Sequence, residues 1–158
     1  MGEHTTDPSW AAWYAQATMN ARLLERLGGE MERRTGLPAA WFEVLANLKR
    51  GGPTRMNVLA DALFVSRGGA TRLVARLEEV GLVEREIPAS DRRATYAQIT
   101  EKGRAAIERA LPVHFELVEE LYGRHLEPGD AEAILGVAAR ISAAQGWPAP
   151  GAAVDQPV

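Results

Sequence analysis

The sequence predicts a mainly α-helical fold that carries one small β-hairpin. Along most of the 158 residues, apolar side chains recur every three or four positions, the spacing that buries one face of a helix. In one stretch, two short strand-like runs, LVEREI (82–87) and ATYAQI (94–99), flank PASDRR (88–93), which is rich in turn-forming residues. The composition, 46% hydrophobic and 25% charged, is typical of a globular chain and excludes collagen-like and fully disordered ones.

The two ends of the chain lack helical periodicity. Residues 1–8 are polar, and residues 146–158 are rich in Pro, Gly and Ala. We therefore expect a disordered N-terminus and a flexible C-terminal tail on either side of a single domain at 9–145.

Two amphipathic helices are predicted at the start of this domain. Ser9 can cap the first helix, whose apolar positions follow helical spacing over 10–27 and stop at the glycine pair 28–29. The second helix follows Pro38 and ends at the Gly-Gly-Pro run 51–53.

Two short helices are then predicted to abut. Thr54 opens the first, which has an expected buried stripe of Val58, Leu59, Ala62 and Leu63. Ser66 caps the second, and one face of it is apolar, with Ala70, Leu73, Val74, Leu77 and Val80. The opposite face is exposed and cationic, with Arg67, Gly68, Thr71, Arg72, Ala75 and Arg76. Gly81 ends this helix at a position that requires a left-handed backbone.

The hairpin and two further helices complete the predicted order. The residues near the hairpin tip are Asp91, Arg92 and Arg93. Thr100 can cap a long helix, which Pro112 is expected to kink because it removes one helical hydrogen bond. A last helix starts near Pro128, and its apolar stripe is Ile134, Leu135, Val137, Ala138 and Ile141.

The charge is distributed unevenly along the chain. The net charge is −3, but residues 49–104 contain eleven Lys and Arg against seven Asp and Glu, a charge of +4. The remainder carries −7. A basic middle section in an acidic chain is typical of contact with a polyanion such as nucleic acid, although a solvated surface would give the same numbers.

Two short helices joined by a tight turn, followed at once by a basic hairpin, form the arrangement called a winged helix-turn-helix. The second helix can enter the DNA major groove, and a hairpin tip beside it can place an arginine in the minor groove. The predicted winged helix-turn-helix spans about 54–100, and the predicted dimerisation helices span about 9–35 and 101–145.

One stretch of sequence carries a family resemblance. GLVER at 81–85 is followed by Asp91, by Arg93, by Ile99-Thr100 and by Gly103, and TRLVARLEEVGLVER at 71–85 stands where the recognition helix and its exit are expected. This pattern resembles the wing motif of the MarR (multiple antibiotic resistance regulator) family, except that Ile99 replaces the usual Leu. The resemblance extends from about Trp10 to Ile141.

The resemblance implies a homodimer that binds a palindromic operator in double-stranded DNA. It implies that Arg93 enters the minor groove, that Arg92 lies beside it on phosphate, and that Asp91 stabilises the wing. Gly68 and Gly69 stand where many relatives have Ser or Thr. The predicted DNA-contacting residues are Ser66, Arg67, Gly68, Thr71, Arg72, Arg76, Arg92 and Arg93.

Dimerisation also has support from the residues themselves. The first and last predicted helices bear large apolar side chains, and the sequence holds no second domain to cover them. Two-fold symmetry would match half-sites roughly one helical turn apart, about 34 to 36 Å.

Many MarR-type proteins release DNA when they bind a small aromatic or phenolic effector. The resemblance therefore suggests a repressor released by such a molecule. The residues that could line an effector pocket are Trp13, Tyr14, Trp41, Phe42 and His114, each of which could equally be ordinary core or interface packing.

Signals for catalysis, metals and cofactors are poor. The chain has no cysteine, no nucleophile motif and no phosphate-binding glycine loop. The histidines, His4, His114 and His125, lack metal-ligand spacing. We expect that the protein is not an enzyme and that it binds neither a metal nor a cofactor. No apolar run reaches 18 residues and the N-terminus lacks a signal-peptide pattern, so a cytoplasmic protein with no membrane partner is expected.

Two functions of different classes remain open. One is a sequence-specific DNA-binding transcriptional regulator, and the alternative is a winged-helix module that binds another protein without direct DNA binding. The side chain of Arg93 separates them, since only the first requires it for duplex affinity.

Overall fold

The computed structural model describes residues 7–87 and 94–147. The described residues fall into two compact units, one up to Leu121 and one from Tyr122 onward, and each is described by itself. The helices of the first unit are α1 (Pro8–Thr35), α2 (Ala39–Gly51), α3 (Met56–Ala62), α4 (Arg67–Glu79) and α5 (Glu101–Leu121). Its strands are β1 (Thr54–Arg55), β2 (Val83–Glu86) and β3 (Tyr96–Ile99). The second unit has a short 3₁₀-helix (Gly123–His125) and α6 (Asp130–Gln145). The predicted fold class, mainly α with a small hairpin, is confirmed.

The first unit is organised around one hydrophobic core. Each element from α1 to α5 contributes to it, as do β2 and β3, through side chains that are almost completely buried: Met31, Leu45, Leu48, Leu59, Val74, Leu77, Val83, Ala97, Ile107 and Leu117. Burial of a leucine or valine of this kind contributes about 1.5 to 3 kcal/mol relative to leaving it exposed. The core therefore fixes α4 and the sheet against α2 and α5.

Helix α1 is longer at both ends than its sequence pattern predicted. Asp7, and not Ser9, is the N-cap, because its side chain accepts the backbone N–H of Ser9 at 2.8 Å and Pro8 takes the first helical position. The predicted stop at 28–29 is wrong, since the helix continues to a left-handed Gly36. A Cβ at Gly28 would lie 3.2 Å from the Cβ of Ala39, so that glycine allows close packing of α1 on α2.

The segment that was predicted to open with a helix at Thr54 begins with a strand. Thr54 and Arg55 pair with Ala97 and Tyr96, and the backbone N–H of Met56 then donates to the carbonyl oxygen of Thr95 at 3.0 Å. A two-residue strand is too short to leave an alternating pattern in the sequence. Helix α3 consequently begins at Met56.

The predicted buried stripe of α3 was only partly correct. Leu59 is fully buried and Leu63 is half-buried, whereas Val58 and Ala62 are exposed. The shorter helix turns a different face to the core, and Ala60 lies there instead.

The predicted hairpin is present, and it belongs to a three-stranded antiparallel sheet of order β1-β3-β2. Val83 lies opposite Ile99, and Glu86 lies opposite Tyr96. Asp91, Arg92 and Arg93, the residues predicted at the hairpin tip, lie outside the described residues.

Thr100 caps α5 as predicted and also ties it to the end of α4. Its hydroxyl oxygen accepts the backbone N–H of Gly103 at 3.1 Å, and its hydroxyl donates to the carbonyl oxygen of Gly81 at 2.7 Å. Gly81 has a φ of 73°, the left-handed conformation expected where α4 stops. Pro112 lies inside α5, and its predicted kink stays a prediction.

The second unit contains the predicted last helix, α6. No residue of α6 is buried, and its apolar stripe, which includes Ile134, Leu135, Val137 and Ile141, is exposed. A helix with a solvent-exposed apolar stripe lacks the partner that would normally cover it. The predicted extent of the domain, 9–145, stays a prediction.

Candidate nucleic-acid interface

One face of helix α4 is fixed against the hydrophobic core, and the opposite face is exposed to solvent. Ser66 caps it as predicted, with the side-chain oxygen accepting the backbone N–H of Gly69 at 3.1 Å. Ala70, Val74 and Leu77 have no exposed surface because they pack into the core. Side chains on the opposite face of α4 must therefore point into solvent.

The open face of α4 is cationic. Arg67, Arg72 and Arg76 are exposed, and none of them forms an ion pair with any residue in the described ranges 7–87 and 94–147. The guanidinium of Arg72 lies over Gly68, 3.6 Å from where a Cβ of that residue would be. The Thr71 hydroxyl donates to the carbonyl oxygen of Arg67 at 2.9 Å. The residues of this helix and its cap that the sequence predicted to contact DNA are all exposed, and their role stays a prediction.

The hairpin is attached to α4 by an ion pair that sequence reasoning did not predict. Nε and Nη2 of Arg85 in β2 lie 2.8 Å and 2.5 Å from a carboxylate oxygen of Glu78. Hydrogen bonding to the Arg85 guanidinium lowers the pKa of the Glu78 carboxyl below its usual value. This contact fixes the strand that leads to the hairpin tip relative to α4.

A cleft of about 500 Å³ separates α4 from the sheet. Its described lining is Arg55, Met56, Asn57, Arg67, Thr71, Arg85, Ala94 and Thr95. Arg55 donates from Nε to the hydroxyl oxygen of Tyr96 at 2.7 Å and lies 5.5 Å from the centre of that ring. Arg55 and Arg85 both fall in the basic section of the sequence, but only the strand pairing shows that they share a cleft with Arg67.

The geometry supplies an exposed cationic helix of the right size for DNA. An α-helix with side chains is about 10 to 12 Å across, and the major groove of B-DNA is about 12 Å wide. A hairpin fixed beside that helix is the arrangement of a winged helix-turn-helix.

Comparison with known proteins agrees with this arrangement. A model of the MarR family matches residues 35–94, which contain α2 to β2. The chain is 31% identical to the transcriptional repressor MprA of Escherichia coli over 106 residues, which are 66% of this chain and 60% of MprA. The structure is similar to AbsC, a MarR-family transcriptional regulator from Streptomyces coelicolor, with a TM-score of 0.80 and 29% identity over 89% of this chain and 96% of AbsC. Residues 35–94 of this chain match the MarR family, and its fold is that of MarR-family transcriptional regulators.

A second solved structure shows a similar MarR-family protein bound to DNA. Sco3205, also from Streptomyces coelicolor, was crystallised in complex with DNA. It is similar to this chain with a TM-score of 0.78 and 28% identity, covering 88% of each chain. The matched segments span 47 to 60% of the length of the curated relatives.

The residues predicted to line an effector pocket are divided into two groups by their ring contacts. Trp13 and Tyr14 are exposed on α1, where both approach Trp10. Phe42 is buried in α2, and its ring stacks on that of His114 in α5 with 4.5 Å between the centroids. Trp41 is half-buried beside the core.

His114 is the unusual member of the second group. Its Nδ1 atom is buried without a hydrogen-bond partner among the residues that the structure describes. Burial lowers the pKa of the His114 imidazole below its usual value. A buried polar atom of this kind could form a hydrogen bond with a bound ligand.

The described residues form neither a metal-ligand cluster nor a membrane-spanning helix. Within 7–87 and 94–147, three or more His, Asp or Glu side chains nowhere come together in a way that could hold a metal ion. The same residues include no helix of sufficient length and apolar character to cross a membrane.

Proposed function

We propose that this chain is a sequence-specific transcriptional regulator that binds a palindromic operator in double-stranded DNA as a homodimer. The observation that carries the proposal is the rigidly held, exposed face of α4, with Arg67, Arg72 and Arg76 free of ion pairs among the described residues. An arginine that is already paired must lose its partner before it binds phosphate. These three can bind DNA without that cost.

The proposed binding mode places α4 in the major groove. Arg67 and Thr71 lie in its first turns, which is where recognition helices contact base edges. Arg72 and Arg76 continue along the same exposed face toward the phosphate backbone. The complex of Sco3205 with DNA supports this choice of ligand for a chain of the same fold.

The wing supplies the second contact in this proposal. Arg93 enters the adjacent minor groove and Arg92 binds phosphate, while Asp91 helps to hold Arg93 in the wing. The negative potential of a narrow minor groove attracts a guanidinium. The ion pair of Arg85 with Glu78 supports the proposal because it holds the base of the hairpin beside α4.

The homodimer is supported by apolar surface on α1 and α6. Trp13 and Leu24 in the first unit, and Leu135 and Ile141 in the second, are between 49% and 64% exposed. Each of these helices therefore exposes large apolar side chains that a second chain could cover. Two-fold pairing would present two copies of α4 to half-sites about 34 to 36 Å apart.

We further propose that the regulator is a repressor released by a small aromatic or phenolic effector. MprA, a relative at 31% identity, is a transcriptional repressor. The stacked rings of Phe42 and His114 could form the aromatic wall of an effector pocket, and the unpartnered Nδ1 atom could form a hydrogen bond with the bound effector. Effector binding would shift the spacing of the two α4 helices and so bias an existing equilibrium.

Binding assays on operator DNA selected from random duplexes test the DNA-binding proposal. We expect Arg93→Ala to lower duplex affinity at least tenfold while the protein remains dimeric. Arg109→Ala is the matched control, since Arg109 is an exposed cation on α5 outside the proposed interface. Equal affinity of all three proteins would contradict the assignment of the wing. Failure of the wild-type protein to bind any duplex would favour a protein-binding module.

A thermal-shift screen of small aromatic and phenolic compounds tests the effector. We expect at least one compound both to raise the melting temperature and to weaken operator binding. Compounds that do neither, across a broad screen, would favour a regulator without an effector.

A further inference from the structure

The turn between α3 and α4 contains an exposed aromatic residue in a strained conformation. Phe64 has a φ of 53°, and its side chain is 96% exposed. A single exposed apolar side chain is common on protein surfaces and needs no explanation. An exposed one whose backbone also lies in the left-handed region is uncommon.

The backbone of this turn is a Schellman motif, in which glycine is the favoured residue. The N–H of Val65 donates to the carbonyl oxygen of Ala60 at 3.1 Å, and the N–H of Phe64 donates to that of Asp61 at 3.2 Å. Each other described residue with a positive φ is a glycine. Phe64 therefore occupies a position where its Cβ is unfavourable, and its ring gains no packing in exchange.

Backbone strain that no packing contact offsets is a reason to look for a functional contact. Phe64 lies two residues before Ser66, the cap of α4, so its Cα is within about 7 Å of the end of the helix that enters the major groove in the proposed function. Arg67 follows that cap and is exposed on the same helix end. The cationic side chains would draw this turn against DNA, where an aromatic ring can meet the edge of a base.

We propose that Phe64 is a specificity-determining residue that packs against the C5 methyl group of a thymine in the operator. The major groove exposes that methyl group, and it is the one apolar feature that distinguishes thymine from the other bases there. The inference rests on the proposed DNA-binding function and adds to it a base preference at the edge of each half-site.

Deoxyuridine substitution tests the contact, because deoxyuridine is thymidine without the methyl group. Thymines in the selected operator are replaced one symmetry-related pair at a time. We expect one pair at which wild-type affinity falls by about three- to fivefold per half-site, the effect of removing one methyl group from an apolar contact. Phe64→Ala should bind the unmodified operator more weakly by a similar factor, and it should be insensitive to deoxyuridine at that pair.

Val80→Ala is the matched control. Val80 is 39% exposed and lies at the opposite end of α4, so its truncation also removes exposed apolar surface. This variant should keep the full deoxyuridine sensitivity of the wild type.

Phe64→Gly separates a DNA contact from a structural role. Glycine relieves the left-handed strain, so we expect the melting temperature to rise by about 2 to 4 °C. Operator affinity should fall as it does for Phe64→Ala. A lower melting temperature for Phe64→Gly would show that the ring supports the fold and would overturn the inference.

The remaining outcomes distinguish this inference from the proposed function. If wild type binds the operator but no thymine is sensitive, or if Phe64→Ala keeps the sensitivity, the contact is overturned and DNA binding stands. If wild type binds no duplex at all, the proposed function fails, and this inference fails with it.

Discussion

Gly103 lies where α5 begins against the turn before β2, and no side chain fits there. A Cβ at this position would lie 2.1 Å from the carbonyl oxygen of Leu82 and 2.7 Å from Cγ1 of Ile99. We expect Gly103→Ala to lower the free energy of unfolding by about 2 to 4 kcal/mol, because the backbone of one element must move. Urea unfolding measures the change.

Gly29→Ala is the matched control for that substitution. Gly29 lies within α1, and a Cβ there would meet nothing within 4 Å. Alanine favours a helix over glycine, so this variant should be more stable by about 0.5 to 1 kcal/mol. Equal destabilisation by both substitutions would contradict the close packing at Gly103.

His114 should make stability depend on pH. Burial lowers the pKa of the folded-state imidazole, whereas in the unfolded chain it returns to about 6.5. As the pH falls below about 6.5, the unfolded state takes up a proton that the folded state resists. The free energy of unfolding should therefore fall with pH, by at most about 1.4 kcal/mol per unit, until the folded imidazole also titrates.

Replacing the imidazole tests this dependence. His114→Phe preserves a ring against Phe42 and cannot be protonated. Urea unfolding between pH 5 and 8 should show a shallower pH dependence for the variant than for wild type. Parallel curves would mean that His114 does not set the dependence.

Substitution of Arg72 tests whether a single side chain on the exposed face of α4 contributes to operator binding. Arg72→Ala and Arg109→Ala each remove one exposed positive charge, but only Arg72 lies on the proposed interface. We expect the first to weaken operator binding by about 1 to 3 kcal/mol and the second to change it little. Fluorescence anisotropy at a single salt concentration suffices, and equal losses would point to net charge alone.

At the scale of elements, three of the predicted helix ends were readable from sequence, whereas the predicted cap at Ser9 and part of the predicted stripe of α3 were wrong. Ser66, Gly81 and Thr100 act where local side-chain or backbone chemistry required a helix end, and the structure has helix ends at all three. These three helix ends are set by the residues on either side of them, so sequence alone was sufficient there.

Elements defined by distant contacts were not readable in the same way. β1 exists because Thr54 and Arg55 pair with residues about forty positions later, and α1 continues through Gly28, where Ala39 of α2 approaches closely. The cleft residues Arg55 and Arg85 were missed for the same reason, since their placement depends on sheet pairing. The wing residues Asp91 to Arg93 lie outside the described residues, and their roles stay predictions.

The cap of α4 is the contact on which the orientation of the interface depends. Ser66→Ala removes the side-chain acceptor for the N–H of Gly69 and should cost about 1 kcal/mol of stability. Ser66→Asp supplies another acceptor and should restore stability. Thermal unfolding of the two variants measures this, and equal losses would contradict a capping role.

At the scale of the whole molecule, the exposed stripe of α6 should be covered by a second copy of the chain. Leu135 is 55% exposed within one chain. Leu135→Glu would place a charge in the interface and should give monomers with much weaker operator binding, because each monomer carries a single α4. Sedimentation velocity measures the assembly state, and an unchanged dimer would place the interface elsewhere.

The dependence of operator affinity on salt tests most directly whether exposed guanidinium groups bind DNA phosphates. If a dimer makes about eight such contacts, log affinity should fall with log salt concentration with a slope near −7. Titrations of the wild-type protein between low and physiological salt supply this value. A slope near −7 is the expected result, and a slope near zero would contradict the account.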